Sequence, residues 1–247
     1  MRKKNQHRLY VTSPLATDGL LTLSPEQSHY LVNVMRAAIG DAVALFNGRD
    51  GEWTATIADV KKKAVALIIT TQTMEQKPEP DLTLVFAPIK KARIDFMAQK
   101  ATELGIRHMQ PIITHRTNVE RVKTERLHAN AIEAAEQCER LTIPTVSEPI
   151  KLDKLLNNWP TDRMIMFCDE DLTGKSAFTA LTELSETQKK QPWAIVIGPE
   201  GGFDDRERVA IKALPNTVVV SLGPRVLRAD TAAMAAISLW QSALGDW

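Results

Sequence analysis

The chain has 247 residues, 44% of them hydrophobic and 25% charged, and its formal net charge is +1. This composition predicts one large or two modest folded domains and excludes a mainly disordered or collagen-like chain. No apolar run approaches the roughly 20 residues that span a membrane. The only two cysteines, Cys138 and Cys168, are too few for a disulfide framework or a cysteine-rich zinc site. We therefore expect a protein of the reducing cytoplasm, with no membrane partner and no metal.

The first 72 residues read mainly as short strands. Candidate strands are 43–46, 53–57 and 64–70, and turn residues separate the first two. One helix interrupts them, with a body at 29–36. Ser24 is its candidate cap, Pro25 suits its first turn, and Gln27 would complete a capping box. These elements predict a small β-barrel with one helix.

The polar segment 74–81 contains two prolines and is the predicted domain boundary. Beyond it strands alternate with helices, which predicts a mostly parallel sheet covered on both faces. The candidate strands are 82–87, 109–113, 164–168, 193–197 and 217–222. The candidate helices are 95–104, 125–139, 177–187, 206–214 and 229–244, with caps at Thr124, Ser176 and Asp204, the last forming a capping box with Glu207.

The charge is unevenly distributed along the chain. Residues 88–128 hold nine Lys and Arg against four acids, whereas residues 129–247 hold 12 Lys and Arg against 17 acids. A basic middle beside an acidic end is typical of a local polyanion-binding surface. A solvated face is the equally weighted alternative.

Three candidate strands end in loops rich in glycine, proline and charge, at 169–171, 198–203 and 223–228. Ligands of parallel sheets bind at the carboxyl ends of strands, so these loops predict one pocket. Neither a P-loop nor a Gly-x-Gly-x-x-Gly motif is present. From the loops alone, a tight turn before Asp204 is the alternative to a ligand site.

Several segments resemble the RsmE family of 16S rRNA uridine methyltransferases. The match follows the chain in order, and its two C-terminal motifs are specific. The segments are His29-Tyr30-Leu31-x-x-Val34-x-Arg36, Lys90-x-x-Arg93, 99–105, 131–140, 197–203 and 222–232. Asp230 stands where the family more often has Glu, which keeps the carboxylate and shortens its reach.

The resemblance implies a fold and an activity. Residues 1–73 would form a PUA-like β-barrel that binds rRNA, and residues 74–247 a SPOUT-type α/β domain with a C-terminal trefoil knot. The family binds S-adenosylmethionine, works as a homodimer and methylates N3 of a uridine in the 16S rRNA of the small ribosomal subunit.

The resemblance also implies a cofactor pocket built from two glycine loops, since glycines let the backbone approach a ligand closely. Its residues would be Ile197, Gly198, Pro199, Gly201, Gly202, Leu222, Gly223, Arg225, Leu227 and Thr231. Arg225 could instead form a salt bridge, and Thr231 could cap the last helix.

Three side chains are candidates for the chemistry. Loss of the N3 proton spreads negative charge onto uracil O2 and O4, which the guanidinium of Arg228 could stabilise. Its alternative role is a salt bridge to Asp230 or Glu200. Glu200 and Asp230 are candidate proton acceptors. Asp230 could instead cap the last helix, and Glu200 could contact the cofactor or shape its loop.

Basic residues supply candidates for rRNA phosphate contacts, which position a protein without reading sequence. The RNA-binding candidates are Arg8, His29, Arg36, Lys90, Lys91, Arg93, Arg116 and Arg121, together with the tail residues Arg2, Lys3 and Lys4. For any one of them solvation is the alternative, and His29 could pack within its helix.

Two other functions are open. One is a SPOUT methyltransferase that acts on another RNA or on a ribose 2′-hydroxyl. The other is a non-catalytic, RNA-binding ribosome assembly factor. The alanine-rich stretch 232–236 could lie in the core or at a dimer interface.

Overall fold

The computed structural model describes residues 7–61, 64–119, 121–171 and 174–247, without the side chain of Lys91. The tail candidates Arg2, Lys3 and Lys4 lie outside these residues. The contacts divide the chain into two units. The first comprises Met1–Pro78 and Ala135–Ile143, and the second comprises Glu79–Ala134 and Pro144–Trp247.

The first unit is built on a sheet of five strands. They are β1 (His7–Tyr10), β2 (Leu20–Thr22), β3 (Ala42–Phe46), β4 (Glu52–Lys61) and β5 (Ala64–Met74). Their order is β1-β3-β4-β5-β2. β1 pairs in parallel with β3, and the other pairs are antiparallel. Alternate side chains such as Val43, Leu45, Ile57 and Leu67 fill one core, as the period of a half-buried strand requires.

The predicted helix begins where expected but changes character after five residues. In α1 (Pro25–His29) the Ser24 hydroxyl accepts a hydrogen bond from the Gln27 N–H. The predicted capping box does not form, because the Gln27 side chain donates a hydrogen bond to the Tyr10 carbonyl instead. The chain then continues as a π-helical turn, Tyr30–Val34, in which Met35 N–H bonds to the Tyr30 carbonyl.

The second unit contains a sheet of eight strands and most of the helices. The strands are β6 (Leu82–Phe86), β7 (His108–Ile113), β8 (Thr145–Val146), β9 (Ile150–Lys151), β10 (Met164–Cys168), β11 (Lys175–Ser176), β12 (Trp193–Ile197) and β13 (Thr217–Ser221). The helices are α2 (Lys91–Glu103), α3 (Thr124–Cys138), whose end lies in the first unit, α4 (Leu152–Asn157), α5 (Ala177–Thr182), α6 (Glu186–Lys189), α7 (Asp205–Lys212) and α8 (Ala229–Leu244).

The strand order of this sheet is β11-β13-β10-β12-β6-β7-β8, and β9 pairs with β7. All of these pairs are parallel. The central strands are apolar throughout because both faces are covered. Trp193, Ile195 and Ile197 of β12 pack into a core that includes α2, α5 and α8, while Ala194 and Val196 pack into a second core on the other face. This confirms the predicted α/β class.

Several details differ from the prediction, including β1 and β2 of the first unit, which were not among the candidate strands. The helix expected at 177–187 is split, because Ser185 forms a capping box with Gln188 and starts α6. The two-residue strands β8, β9 and β11 and the short helix α4 were not predicted, since so few residues carry no periodicity. None of the helices in the described ranges is long and apolar enough to cross a membrane.

Candidate functional site

A cavity of about 480 Å³ opens beyond the carboxyl ends of β10, β12 and β13. β10 lies between the other two strands and runs parallel to both, so the loops that follow them converge. This is the edge where parallel sheets bind ligands. The predicted residues that line the cavity are Ile197, Gly198, Pro199, Glu200, Leu222, Arg225, Leu227 and Arg228.

Five other predicted site residues do not line the cavity itself. They are Gly201, Gly202, Gly223, Asp230 and Thr231, which lie in or beside the same loops. The sequence assigned no individual role to Cys168, Asp169, Glu170 or Phe203, although the last three lie in loops that were predicted to form the pocket; all four line the cavity. The acidic run at 169–171 was the available signal for two of them.

Two guanidinium groups face the cavity without a carboxylate partner. Within the described ranges, no carboxylate lies within 4.0 Å of Arg225 or Arg228, although both residues are exposed and line the cavity wall. The alternative of a salt bridge from Arg228 to Asp230 or Glu200 is therefore wrong here. Instead Glu200 accepts a hydrogen bond of 2.8 Å from Nη1 of Arg93. The cavity thus carries cationic groups that are available to an anion.

The first turn of α8 lies against the same cavity. Arg228 is the N-cap residue, its side chain makes no capping hydrogen bond, and Ala229 and Ala232 line the cavity. The N-terminus of a 16-residue helix carries a partial positive charge from its unpaired N–H groups. This end of α8 adds to the field of the two arginines.

Asp230 occupies the second position of α8 and does not cap it. Among the described residues, one oxygen of its carboxylate is buried without a hydrogen-bond partner. A carboxylate in the first turn still interacts favourably with the helix dipole. The alternative of helix capping by Asp230 is therefore wrong, because Arg228 is the N-cap residue.

The apolar wall of the cavity is formed by close packing around the glycine loop, residues 198–203. The Phe203 ring packs edge-on against Phe167 at 5.5 Å between ring centroids. A Cβ on Gly198 would lie 2.8 Å from that ring, so only glycine fits there. Cys168 completes this wall, and burial raises the pKa of its thiol to about 12, so that it packs as an apolar group.

The basic candidates fall into different environments. The prediction that Arg8 contacts RNA is wrong. Its guanidinium is buried, pairs with Glu52 at 2.7 Å and donates to the carbonyls of Ala135 and Arg140. It therefore cannot reach a phosphate. Nη1 of Arg116 donates to the Gly201 carbonyl at 3.0 Å and so supports the glycine loop.

The remaining candidates keep exposed polar groups. Lys90 and the half-buried Arg93 line the cavity, and Arg121 lines a smaller cavity of about 190 Å³ in the same unit. His29 and Arg36 are exposed on the first unit, beside the π-helical turn. Lys91 begins α2, but its side chain lies outside what the structure describes. No group of three or more His, Cys, Asp or Glu side chains in the described ranges is arranged to hold a metal ion.

Two family models match the chain. A model described as an RNA methyltransferase domain matches residues 75–241, and one described as an RNA methyltransferase PUA domain matches residues 23–70. Among curated relatives, the ribosomal RNA small subunit methyltransferase E of Rickettsia conorii is 33% identical over 94% of this chain and 93% of its own. The protein of that name from Bacillus subtilis is 30% identical over 88% of each chain.

Solved structures agree with these relatives. A Legionella pneumophila methyltransferase in complex with SAM has a TM-score of 0.86 and 31% identity, over 98% of this chain and 100% of its own. A ribosomal RNA small subunit methyltransferase E from Neisseria gonorrhoeae, bound to S-adenosyl methionine, has a TM-score of 0.87 and 26% identity over the same shares. These matches confirm the predicted family, with a PUA domain and an α/β methyltransferase domain.

Proposed function

The chain belongs to the family of the ribosomal RNA small subunit methyltransferases E, and from this premise we propose that it transfers a methyl group from S-adenosylmethionine to N3 of a uridine in 16S rRNA. The observation that carries the proposal is the cavity at the strand ends, with unpaired Arg225 and Arg228 on one side and an apolar wall on another. Its volume of about 480 Å³ falls within the roughly 300–1,000 Å³ of ligand pockets.

The residues around the cavity suit S-adenosylmethionine. Ile197, Leu222 and Leu227 offer an apolar surface for the adenine, while Glu170 offers a carboxylate for a cationic group. Gly223 has a φ of 110° and nothing within 4 Å of the position of a Cβ, so backbone beside the cavity is open to a ligand. When bound, the cofactor supplies a methyl group on a positively charged sulfur.

The chain's own residues would manage the negative charge that develops on the uracil. Arg228 is the proposed catalytic residue, because its guanidinium has no other anionic partner in the described ranges and lines the cavity. It would orient O2 or O4 and stabilise the charge that forms there. The first turn of α8 would reinforce that field.

Glu200 is the proposed acceptor of the N3 proton. Glu200 lines the cavity, whereas Asp230 is not among its lining residues. The ion pair with Arg93 is exposed, the two side chains being 35% and 42% accessible, and exposed pairs of this kind contribute only about 0–1 kcal/mol. Arg93 can therefore turn to an RNA phosphate and leave Glu200 free to accept the proton.

The rRNA contacts are proposed for both units. Lys90, Arg93 and Arg121 would bind phosphates near the cavity, and His29 and Arg36 would contact RNA on the PUA-like domain. We propose domains over residues 1–73 and 74–247; the unit boundary after Pro78 supports a division in this region, although Ala135–Ile143 also belongs to the first unit. Binding through phosphates releases counterions, so rRNA affinity would fall steeply with salt. Such a substrate places the enzyme in the cytoplasm.

Self-association is proposed through α8. No charged residue occurs between Asp230 and Asp246, and the apolar side chains of Met234, Leu239 and Ala243 are only partly covered by the core. A helix face of this composition favours burial against a second copy of the chain.

The test is incubation of unmethylated small ribosomal subunits with labelled S-adenosylmethionine, followed by nucleoside mapping. We expect the wild-type protein to produce one N3-methyluridine and Arg228→Ala to produce none. The matched control Arg206→Ala, which alters an exposed arginine on α7, should keep full activity. A ribose-methylated nucleoside would support another SPOUT activity. RNA binding without any heat of cofactor binding in calorimetry would support an assembly factor. Full turnover by Arg228→Ala would remove Arg228 from the mechanism.

A further inference from the structure

The loop that follows β10 holds three consecutive carboxylates, and a cation on α7 contacts all of them. Nη2 of Arg208 lies 3.0 Å from Oδ1 of Asp169 and 3.2 Å from Oε1 of Glu170, and its Nη1 lies 2.5 Å from Oδ2 of Asp171. Lys212, one turn further along α7, places Nζ 2.5 Å from the other oxygen of Asp169. Two cations thus hold three anions at the edge of the cavity.

Burial makes this arrangement sensitive to the loss of either partner. The side chain of Asp169 is 1% accessible and that of Arg208 is 13% accessible. A buried carboxylate that loses its cation must move or take up a proton. Without Arg208, Lys212 would still contact Asp169, while Glu170 and Asp171 would lose this cation and all three carboxylates would repel one another.

This acidic loop, residues 169–171, also lies close to the glycine loop, residues 198–203. Gly202 has a φ of 70°, and a Cβ built on it would collide with the carboxylate of Glu170. α7, which carries Arg208, begins directly after the glycine loop at its Asp204 cap. Arg208 therefore holds the acidic loop from a helix that continues directly from the glycine loop.

We propose that Arg208 is a positioning residue that, by holding the buried Asp169 and the neighbouring Glu170, keeps the Glu170 carboxylate on the cavity wall, where it faces the positively charged sulfur of S-adenosylmethionine. This inference rests on the proposed function. Arg208 itself does not line the cavity, so it acts through the carboxylates and not on the reacting atoms.

The test compares cofactor binding by full-length variants in calorimetry. For Arg208→Ala we expect the Kd for S-adenosylmethionine to rise about 10-fold to 100-fold, the range that small misplacements in a site produce. The affinity for rRNA would stay within about twofold, because the α7 cations are committed to the acidic loop. Arg208→Lys would recover part of the loss, since one ammonium can contact fewer carboxylates. Arg206→Ala on the same helix is the matched control and would bind like the wild type.

A second measurement separates this role from general loosening of the fold. S-adenosylhomocysteine lacks the charge on sulfur, so Glu170→Gln would weaken S-adenosylmethionine more than S-adenosylhomocysteine. A structural defect would weaken both ligands equally. Glu170 is exposed on the surface of the loop, so this variant tests the proposal even where Arg208→Ala does not fold.

The outcomes distinguish the two levels of the argument. A wild-type protein that neither binds S-adenosylmethionine nor methylates rRNA would overturn the proposed function. A wild-type protein that does both, with a folded Arg208→Ala variant of unchanged cofactor affinity, would overturn the role of Arg208 alone. If Glu170→Gln leaves the ratio of the S-adenosylmethionine and S-adenosylhomocysteine affinities unchanged, the proposed acidic wall, formed by the Glu170 carboxylate, is overturned.

Discussion

The buried ion pair of the first unit gives a sharp prediction about stability. Arg8 and Glu52 are separated by 2.7 Å and their side chains are 3% and 2% accessible. The guanidinium of Arg8 also lies over the ring of Phe46, 3.6 Å from its centroid. In Arg8→Met, the Glu52 carboxylate would lose its charged partner in a site that water cannot reach.

The expected loss follows from that burial. Removing one partner of a buried pair destabilises by about 3–5 kcal/mol, because the other charge is left uncompensated. Each kcal/mol shifts the melting midpoint of a small unit by about 4–8 °C, so the first unit should melt at least about 12 °C lower. Replacing both residues, in Arg8→Met with Glu52→Met, should recover most of the loss, since an apolar pair leaves no buried charge.

Urea and thermal unfolding followed by circular dichroism would measure these differences. Arg49→Met is the matched control, because Arg49 is exposed on the same unit and its removal should change stability by less than about 0.5 kcal/mol. The reasoning would be refuted if Arg8→Met kept wild-type stability and lost rRNA affinity, as a phosphate-binding arginine would.

Three further outcomes are expected. The exposed Cys138 should react rapidly with a thiol reagent and Cys168 slowly. Because burial raises the pKa of the Cys168 thiol to about 12, its contribution to stability is complete below pH 9 and is lost between pH 9 and 12. Cys168→Ala should therefore reduce the loss of stability at alkaline pH, measured by unfolding at each pH. Gly202→Ala should weaken cofactor binding in calorimetry, because a Cβ on a residue with a φ of 70° is strained and would collide with the Glu170 carboxylate, moving it away from the cavity wall. Arg121→Ala should lower the slope of log rRNA affinity against log salt by about 1.

Much of the fold could be predicted because periodicity and cap chemistry are local signals. β10, β12 and α8 occupy the predicted residues, and the Asp204–Glu207 capping box is present. The π-helical turn at Tyr30–Val34 could not be predicted, because such single turns are rare and residue propensities do not distinguish them from an α-helix. The trefoil knot implied by the resemblance stays a prediction.

The candidate site could be predicted as a set of loops but not as a set of contacts. Glycine and arginine residues after β12 and β13 identified the cavity, while its acidic wall depends on Arg208 reaching back from α7. Arg8 illustrates the opposite error. An arginine near a basic tail resembles an RNA contact in sequence, and only the position of Glu52 in the fold decides that it is buried.

The distribution of charge around the cavity leads to one more consequence. Acidic groups gather on the loop after β10, and unpaired guanidinium groups gather before α8. Under the proposed function, the cationic cofactor and the anionic RNA would therefore meet surfaces of opposite charge. The cofactor would meet the acidic wall through a single charge on its sulfur, whereas rRNA would be held by several exposed phosphate contacts, each of which salt weakens. Raising the salt concentration should consequently raise the KM for rRNA steeply and leave the KM for S-adenosylmethionine almost unchanged. Equal sensitivity of both KM values would mean that the two charged surfaces do not divide the substrates between them.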